Sequence, residues 1–229
     1  SNRSILALVA ATVFLAAASG LTNALWVYLY SFYWGFASTQ VNLIQGTYLV
    51  AAFVALASLP KLSAGRDKRR LTLTIAAGLW TFTALPYAAN AIGAFPVAGP
   101  SRTGLLVAHA FVDGVLFNML MALLFSLLAD VVEDSLATTG RREEGLILAS
   151  QTFVTKVSTA VGTALAAGVL TFVAFPRGAT AGAIAPDVLA ALGTTYVVLM
   201  WITAVLSVGF LRRYRITRAG YHATLERLR

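Results

Sequence analysis

The sequence predicts an all-α membrane protein with six transmembrane helices. Hydrophobic residues make up 59% of the chain and charged residues only 11%, where a soluble domain carries about a quarter, and the mean hydropathy is +0.79. Several apolar runs reach the length of about 18 residues that crosses a hydrocarbon core about 30 Å thick. The runs are continuous and do not alternate, which excludes a β-barrel.

The first span covers 4–29. Residues 5–18 are apolar and run on to Trp26 without a small-residue cleavage site, so the segment reads as a spanning helix and not a signal peptide. The chain opens Ser-Asn-Arg-Ser without a methionine, which reads as a processed or partial chain. The second span is 41–60, followed by a short basic link, KLSAGRDKRR. The third is 71–94, and the link after it holds Pro96, Gly99 and Pro100. The fourth is 103–129. A dense knot of charge fills 130–144 before the fifth span, 145–174. A Gly-, Ala- and Pro-rich link leads to the sixth, 188–211. The spans form one bundle over 1–211, and 212–229 is a basic polar tail. No repeat and no low-complexity segment interrupts them.

The net charge of +8 is explained by orientation. Of the 17 lysines and arginines, fourteen fall on the side holding the N-terminus, the 61–70 link, the 130–144 knot and the tail, and only Arg102 and Arg177 fall on the other. Positive charge marks the cytoplasmic face, so both termini are expected there, in a bacterial inner membrane. No nucleic-acid partner is needed to explain the basic pI. The chain has no cysteine, which excludes disulfides, thiolate nucleophiles and Cys-ligated metal.

Charge inside the apolar runs points to function, because burying it in lipid is costly. Lys156 lies eleven residues into the fifth span, roughly 16 Å deep at 1.5 Å per residue. Thr152, Thr155, Thr159 and Thr163 recur around it at helical spacing, a polar stripe suited to a cavity or a protein interior. Ser158, Gly162 and Ala166 form a small-xxx-small pattern on the same helix, which permits close packing. Asp113 sits near the middle of the fourth span with His109 one turn away. Three readings of Asp113 stand open: a partner for Lys156, a protonation site, or a metal ligand with His109. The metal needs a further ligand, and His222 lies on the other side, so no metal site is expected.

Asn23 and Trp26 share a face of the first span, and Asn42 and Gln45 a face of the second. Amides beside aromatic rings suit a sugar, which offers hydroxyls at its edge and C–H groups on its face. The competing reading is helix-to-helix hydrogen bonding. Tyr28, Tyr30, Tyr33 and Trp34 read as a membrane-interface belt. In the knot, Asp130, Glu133 and Asp134 close the fourth span, and Arg141, Arg142, Glu143 and Glu144 open the fifth. Glutamates suit the positive dipole end of that helix, and the alternation of sign suggests ion pairs that form and break between states.

ADVVEDS, then TGRREEG, then TFVTK with its membrane lysine resembles the block joining the tenth and eleventh helices of the glycoside–pentoside–hexuronide:cation symporters, the group typified by melibiose permease within the major facilitator superfamily. The tail YRITRAGYH is similar to the ending of one branch, and GRDKRR to a cytoplasmic loop of the superfamily. Where the family has an Asp-Tyr pair and a following acid, this chain has Glu133-Asp134 and Leu136, so melibiose specificity is not carried over.

The resemblance implies that the six spans are helices seven to twelve, the C-terminal bundle of that fold, with an N-terminal six-helix half as partner. It implies alternating-access transport of a sugar or glycoside driven by H⁺ or Na⁺, with no cofactor beyond the coupling ion. Lys156 matches the family's coupling and substrate-region lysine, and Asp130, Arg141, Arg142 and Glu144 match its cytoplasmic gate. Two rival expectations are a lipid or lysolipid carrier of the same fold and a structural membrane subunit. An intramembrane enzyme built on His109 and Asp113 lacks a supported nucleophile, so no enzyme activity is expected.

Overall fold

The computed structural model describes residues 2–96, 99–139, 144–180 and 182–214. They form six long helices: α1 Asn2–Val27, α2 Ser38–Ser63, α3 Lys68–Ala91, α4 Pro100–Thr139, α5 Glu144–Phe172 and α6 Pro186–Leu211. All six are long and apolar enough to cross a membrane. Local chemistry sets several ends. Asp67 caps α3 by accepting from the Arg70 backbone N–H at 2.9 Å. Gln40 reaches back to the Ala37 N–H at 3.0 Å to open α2. Pro186 stands in the first turn of α6, where its missing N–H costs nothing.

The first and fourth helices run furthest past their expected C-terminal limits. The first continues beyond 29 as a π-helical segment, Tyr28–Tyr33, in which the Trp34 N–H reaches the Leu29 carbonyl at 2.9 Å. The fourth passes through the acidic cluster to Thr139, so Asp130 and Glu133 are helical and do not belong to a link.

Helix α1 packs on α5 and α6, α2 packs on α4, and α3 bridges α4 and α6. Close approach is set by small residues, because lipid supplies little hydrophobic drive between helices. A methyl group at Gly162 would fall on the Ala17 carbonyl, and one at Gly20 on the Thr159 carbonyl. The small-residue face of α5 read from sequence therefore seats α1, with Ser158 and Ala166 buried beside it. Ser207 donates across α6 and α1 to the Ala11 carbonyl at 3.0 Å.

One end of the bundle carries the basic links and is tied by polar contacts. Lys68 pairs with Asp130 at 2.7 Å. Arg69 donates to the Arg212 carbonyl, and Tyr214 to the Leu127 carbonyl at 3.2 Å. At the opposite end the aromatic belt expected from sequence is corrected. Trp34 is only 2% exposed; it packs on Tyr33, Tyr87 and Phe95 with the Arg102 guanidinium over its ring. Tyr30 is also buried. Rings at a helix end look alike in sequence whether they face lipid or a neighbouring helix; here Tyr30 and Trp34 turn inward, while Tyr28 and Tyr33 are half-buried.

Candidate functional site

A cavity of about 440 Å³ opens between α1, α2, α3, α4 and α6. Asn23 and Gln45 line it and are exposed, so the amides stand at its mouth. Trp26 lines the wall, with Tyr30 at 4.4 Å and Tyr48 at 5.6 Å between ring centres. Deeper in lie Trp80, Thr83 and Tyr87 of α3 and Tyr196 of α6. Tyr196 shares a hydrogen bond with Thr22 at 3.2 Å.

Asp113 is the acidic group of this cavity and is 8% exposed. The Tyr48 hydroxyl donates to its Oδ2 at 2.9 Å, and the Thr83 hydroxyl meets its Oδ1. The three residues come from α4, α2 and α3. Tyr48 can approach because the neighbouring residue is Gly114; a Cβ there would stand 2.9 Å from both Ala51 Cβ and the Tyr48 ring. Measured along α2 from Ser38 and along α4 from Pro100, the site lies about 15–20 Å from that end of the bundle, near mid-membrane for a core about 30 Å thick.

His109 has a local explanation. Pro86 sits inside α3 and has no N–H to give the carbonyl four residues earlier. That carbonyl belongs to Phe82, and His109 Nε2 meets it at 2.9 Å. A carbonyl only accepts, so Nε2 carries the hydrogen. The imidazole also stacks on the Phe82 ring at 4.7 Å. In the membrane such a freed backbone group must find a partner.

Two polar atoms of cavity-lining residues have no partner among the described residues. The indole N–H groups of Trp26 and Trp80 are buried without an acceptor among the described residues, a costly state unless a ligand or water accepts from them. Among the described residues no lysine or arginine lines the cavity.

The other candidates fall elsewhere. Lys156 is exposed on α5 and has no partner among the described residues; Asp113 does not pair with it. The threonine stripe around it bonds its own helix: Thr152, Thr155, Thr159 and Thr163 each donate to the carbonyl four residues before, at 2.8 to 3.1 Å. Asp130 is buried against Lys68. Glu133 is partly buried with one carboxylate oxygen unpartnered among the described residues. Arg141 and Arg142 lie outside the described residues, as do the side chains of Asp134 and Glu144.

Of the residues singled out from sequence, Asn23, Trp26, Gln45 and Asp113 line this cavity, which Tyr48, Trp80, Thr83, Tyr87 and Tyr196, not singled out, line as well. Helical spacing held a partial signal: Tyr48 is three residues after Gln45, and Thr83 three after Trp80.

The family described as MFS/sugar transport protein matches residues 1–218. No curated protein matches the chain.

Proposed function

The chain belongs to the MFS/sugar transport protein family, membrane transporters of the major facilitator superfamily, and from that premise we propose that it moves a sugar or glycoside together with H⁺ or Na⁺ by alternating access. The observation that carries this reading is the convergence of Asn23, Gln45 and Trp26 on one cavity that also holds Asp113. Amide groups at the mouth serve hydroxyls, and aromatic faces serve the C–H side of a sugar ring. A polar mouth of this kind favours a sugar over a lipid.

In this reading the six helices are one half of the transporter, and the cavity closes against a second six-helix bundle. The exposed faces of α2 (Leu49, Phe53) and α5 (Phe153, Val157) are the surfaces left for that half and for lipid. Lys156, flanked by Thr152 and Thr159, stands on the α5 surface and answers to substrate or ion when the halves meet. Asp130, Glu133, Asp134, Arg141, Arg142 and Glu144 form the cytoplasmic gate in an inner membrane, with both termini on that side. Lys68 joins this group through Asp130.

Counterflow in proteoliposomes with a panel of glycosides, under H⁺ and then Na⁺ gradients, tests the reading. Accelerated exchange of at least one glycoside, enhanced by one of the two ions, is the expected result. Exchange of no glycoside under either gradient would refute sugar transport.

A further inference from the structure

We propose that the basic end of α6 and the apolar groove along its outer face form a binding site for one anionic phospholipid. The headgroup phosphate is held by Arg212 and Arg213 beside Arg69, and an acyl chain lies in the groove. The proposal does not depend on what the transporter carries.

The first support is the groove. A shallow apolar concavity of about 450 Å³ lies on α6, lined by Val197, Val198, Trp201, Ile202, Val205 and Leu206. All but Val197 are exposed, while Tyr196, Met200, Ala204 and Ser207 of the same helix are buried. With 3.6 residues per turn, positions 198, 201, 202, 205 and 206 form one stripe. At the same spacing the stripe continues through Gly209 to Arg212 and Arg213, all three exposed. Gly209 has nothing within 4 Å of an added Cβ, so on this stripe no side chain stands between the groove and the arginines. From Val198 to Arg212 the rise is about 21 Å at 1.5 Å per residue. That matches one leaflet, half of a bilayer about 40–45 Å thick with its headgroups. The cations thus stand at headgroup depth when the groove lies among acyl chains.

The second support is charge that no acid answers. Arg69 and Arg70 stand in the first turn of α3, the positive end of that helix, where a cation is unfavourable. Arg69 reaches across to α6 and donates to the Arg212 carbonyl. The receiving turn is held by the Arg213 N–H on the Phe210 carbonyl at 2.9 Å and the Tyr214 N–H on the Leu211 carbonyl at 3.1 Å. Tyr214 is fully buried and bonded to the Leu127 carbonyl, which anchors the backbone beside both arginines. The Arg213 guanidinium rests over the Phe210 ring at 5.4 Å. Among the described residues Asp130 pairs with Lys68 and Asp67 caps α3, and Arg69, Arg70, Arg212 and Arg213 pair with no carboxylate. Cations gathered at the ends of two packed helices repel one another, and a phosphate between them relieves the repulsion. Topology alone asks only for positive charge on one side of the membrane. It does not ask that arginines of two helices meet beside an apolar groove.

Charge decides the occupant. A zwitterionic lipid fills the groove but brings its own cation to the arginines. A second copy of this chain, related by a two-fold axis along the membrane normal, brings the same arginines face to face. A phospholipid with an uncharged alcohol, such as phosphatidylglycerol, supplies the anion and the chains together. Each arginine near the surface contributes about fivefold to such binding.

Photo-cross-linking of the full-length protein in detergent, using phosphatidylglycerol with a diazirine in its acyl chain and peptide mapping, tests the site. Label is expected within 198–206, displaced by unlabelled phosphatidylglycerol about tenfold more effectively than by phosphatidylcholine. Arg212→Gln with Arg213→Gln is expected to abolish that preference. Lys61→Gln with Arg66→Gln removes the same charge from the end of α2 and its link, and is expected to leave the preference intact. Gly209→Leu keeps every charge and closes the path between groove and arginines, so it is expected to weaken the labelling. Thermal midpoints in phosphatidylcholine check that each variant is folded, and phosphatidylglycerol is expected to raise the native midpoint but not that of the Arg212/Arg213 variant. Equal displacement by the two lipids, no label within 198–206, or the same loss of preference in the Lys61/Arg66 variant overturns the proposal. Undiminished labelling of Gly209→Leu, or an equal rise of both midpoints, overturns it as well.

Discussion

Tyr48 of α2 donates its phenolic hydrogen to Asp113 of α4 at 2.9 Å, joining two helices across the wall of the cavity. The bond holds a carboxyl in the bundle interior and fixes the position of α2, an outer helix that otherwise packs mainly on α4. Tyr48→Phe keeps the ring and removes the donor. It is expected to destabilise the protein by about 1 kcal/mol, read as a lower thermal midpoint in detergent. An unchanged midpoint would show that the bond contributes nothing to holding α2.

The α1–α5 contact leaves no room for a side chain at Gly162, where a Cβ would meet the Ala17 carbonyl. Gly162→Ala is expected to cost about 1–3 kcal/mol by overpacking. Gly168, on the same helix, has nothing within 4 Å of an added Cβ, and Gly168→Ala should stabilise by about 0.5–1 kcal/mol through helix propensity. Equal effects at the two positions would contradict the packing described.

Lys68 and Asp130 are unequally buried, with side chains 40% and 8% exposed. Removing the lysine strands a buried carboxylate, whereas removing the aspartate leaves a lysine that can reach water. Lys68→Ala should therefore destabilise more than Asp130→Ala, and Asp130→Asn should recover much of the loss in the Lys68→Ala background. The coupling energy itself is expected to be about 1 kcal/mol, reduced by solvent screening at the lysine. A double-mutant cycle of thermal or denaturant unfolding measures it, and a larger loss for Asp130→Ala would reverse the assignment.

Trp34 is inside the bundle, 2% exposed among Tyr33, Tyr87 and Phe95. Trp34→Ala is expected to cost about 3–5 kcal/mol. A tryptophan anchored at the membrane interface would lose far less, so a small effect on unfolding would restore the belt reading.

The six helices were legible because each apolar run is long enough to span a bilayer and has no alternative in lipid. Their ends were less legible. Asp130 and Glu133 look like the start of a link, yet the helix continues because Val131 stays buried and Asp130 finds Lys68. At the site, Asn23, Trp26, Gln45 and Asp113 could be found because polar groups at membrane depth stand out. Tyr48 and Thr83 could not be assigned to Asp113, since they lie 65 and 30 residues away in sequence and meet it only once three helices pack. Pro86 announces a freed carbonyl at Phe82, but nothing local says that His109 will fill it.

The most direct test of the cavity as the sugar path uses the absence of cysteine from the chain. Asn23→Cys gives these 229 residues one thiol, at the mouth, where a bulky maleimide can be attached once any cysteine elsewhere in the protein has been replaced. The account predicts that a transported glycoside slows labelling and that the labelled protein loses glycoside counterflow. Full counterflow after complete labelling, with no protection by the glycoside, would contradict it.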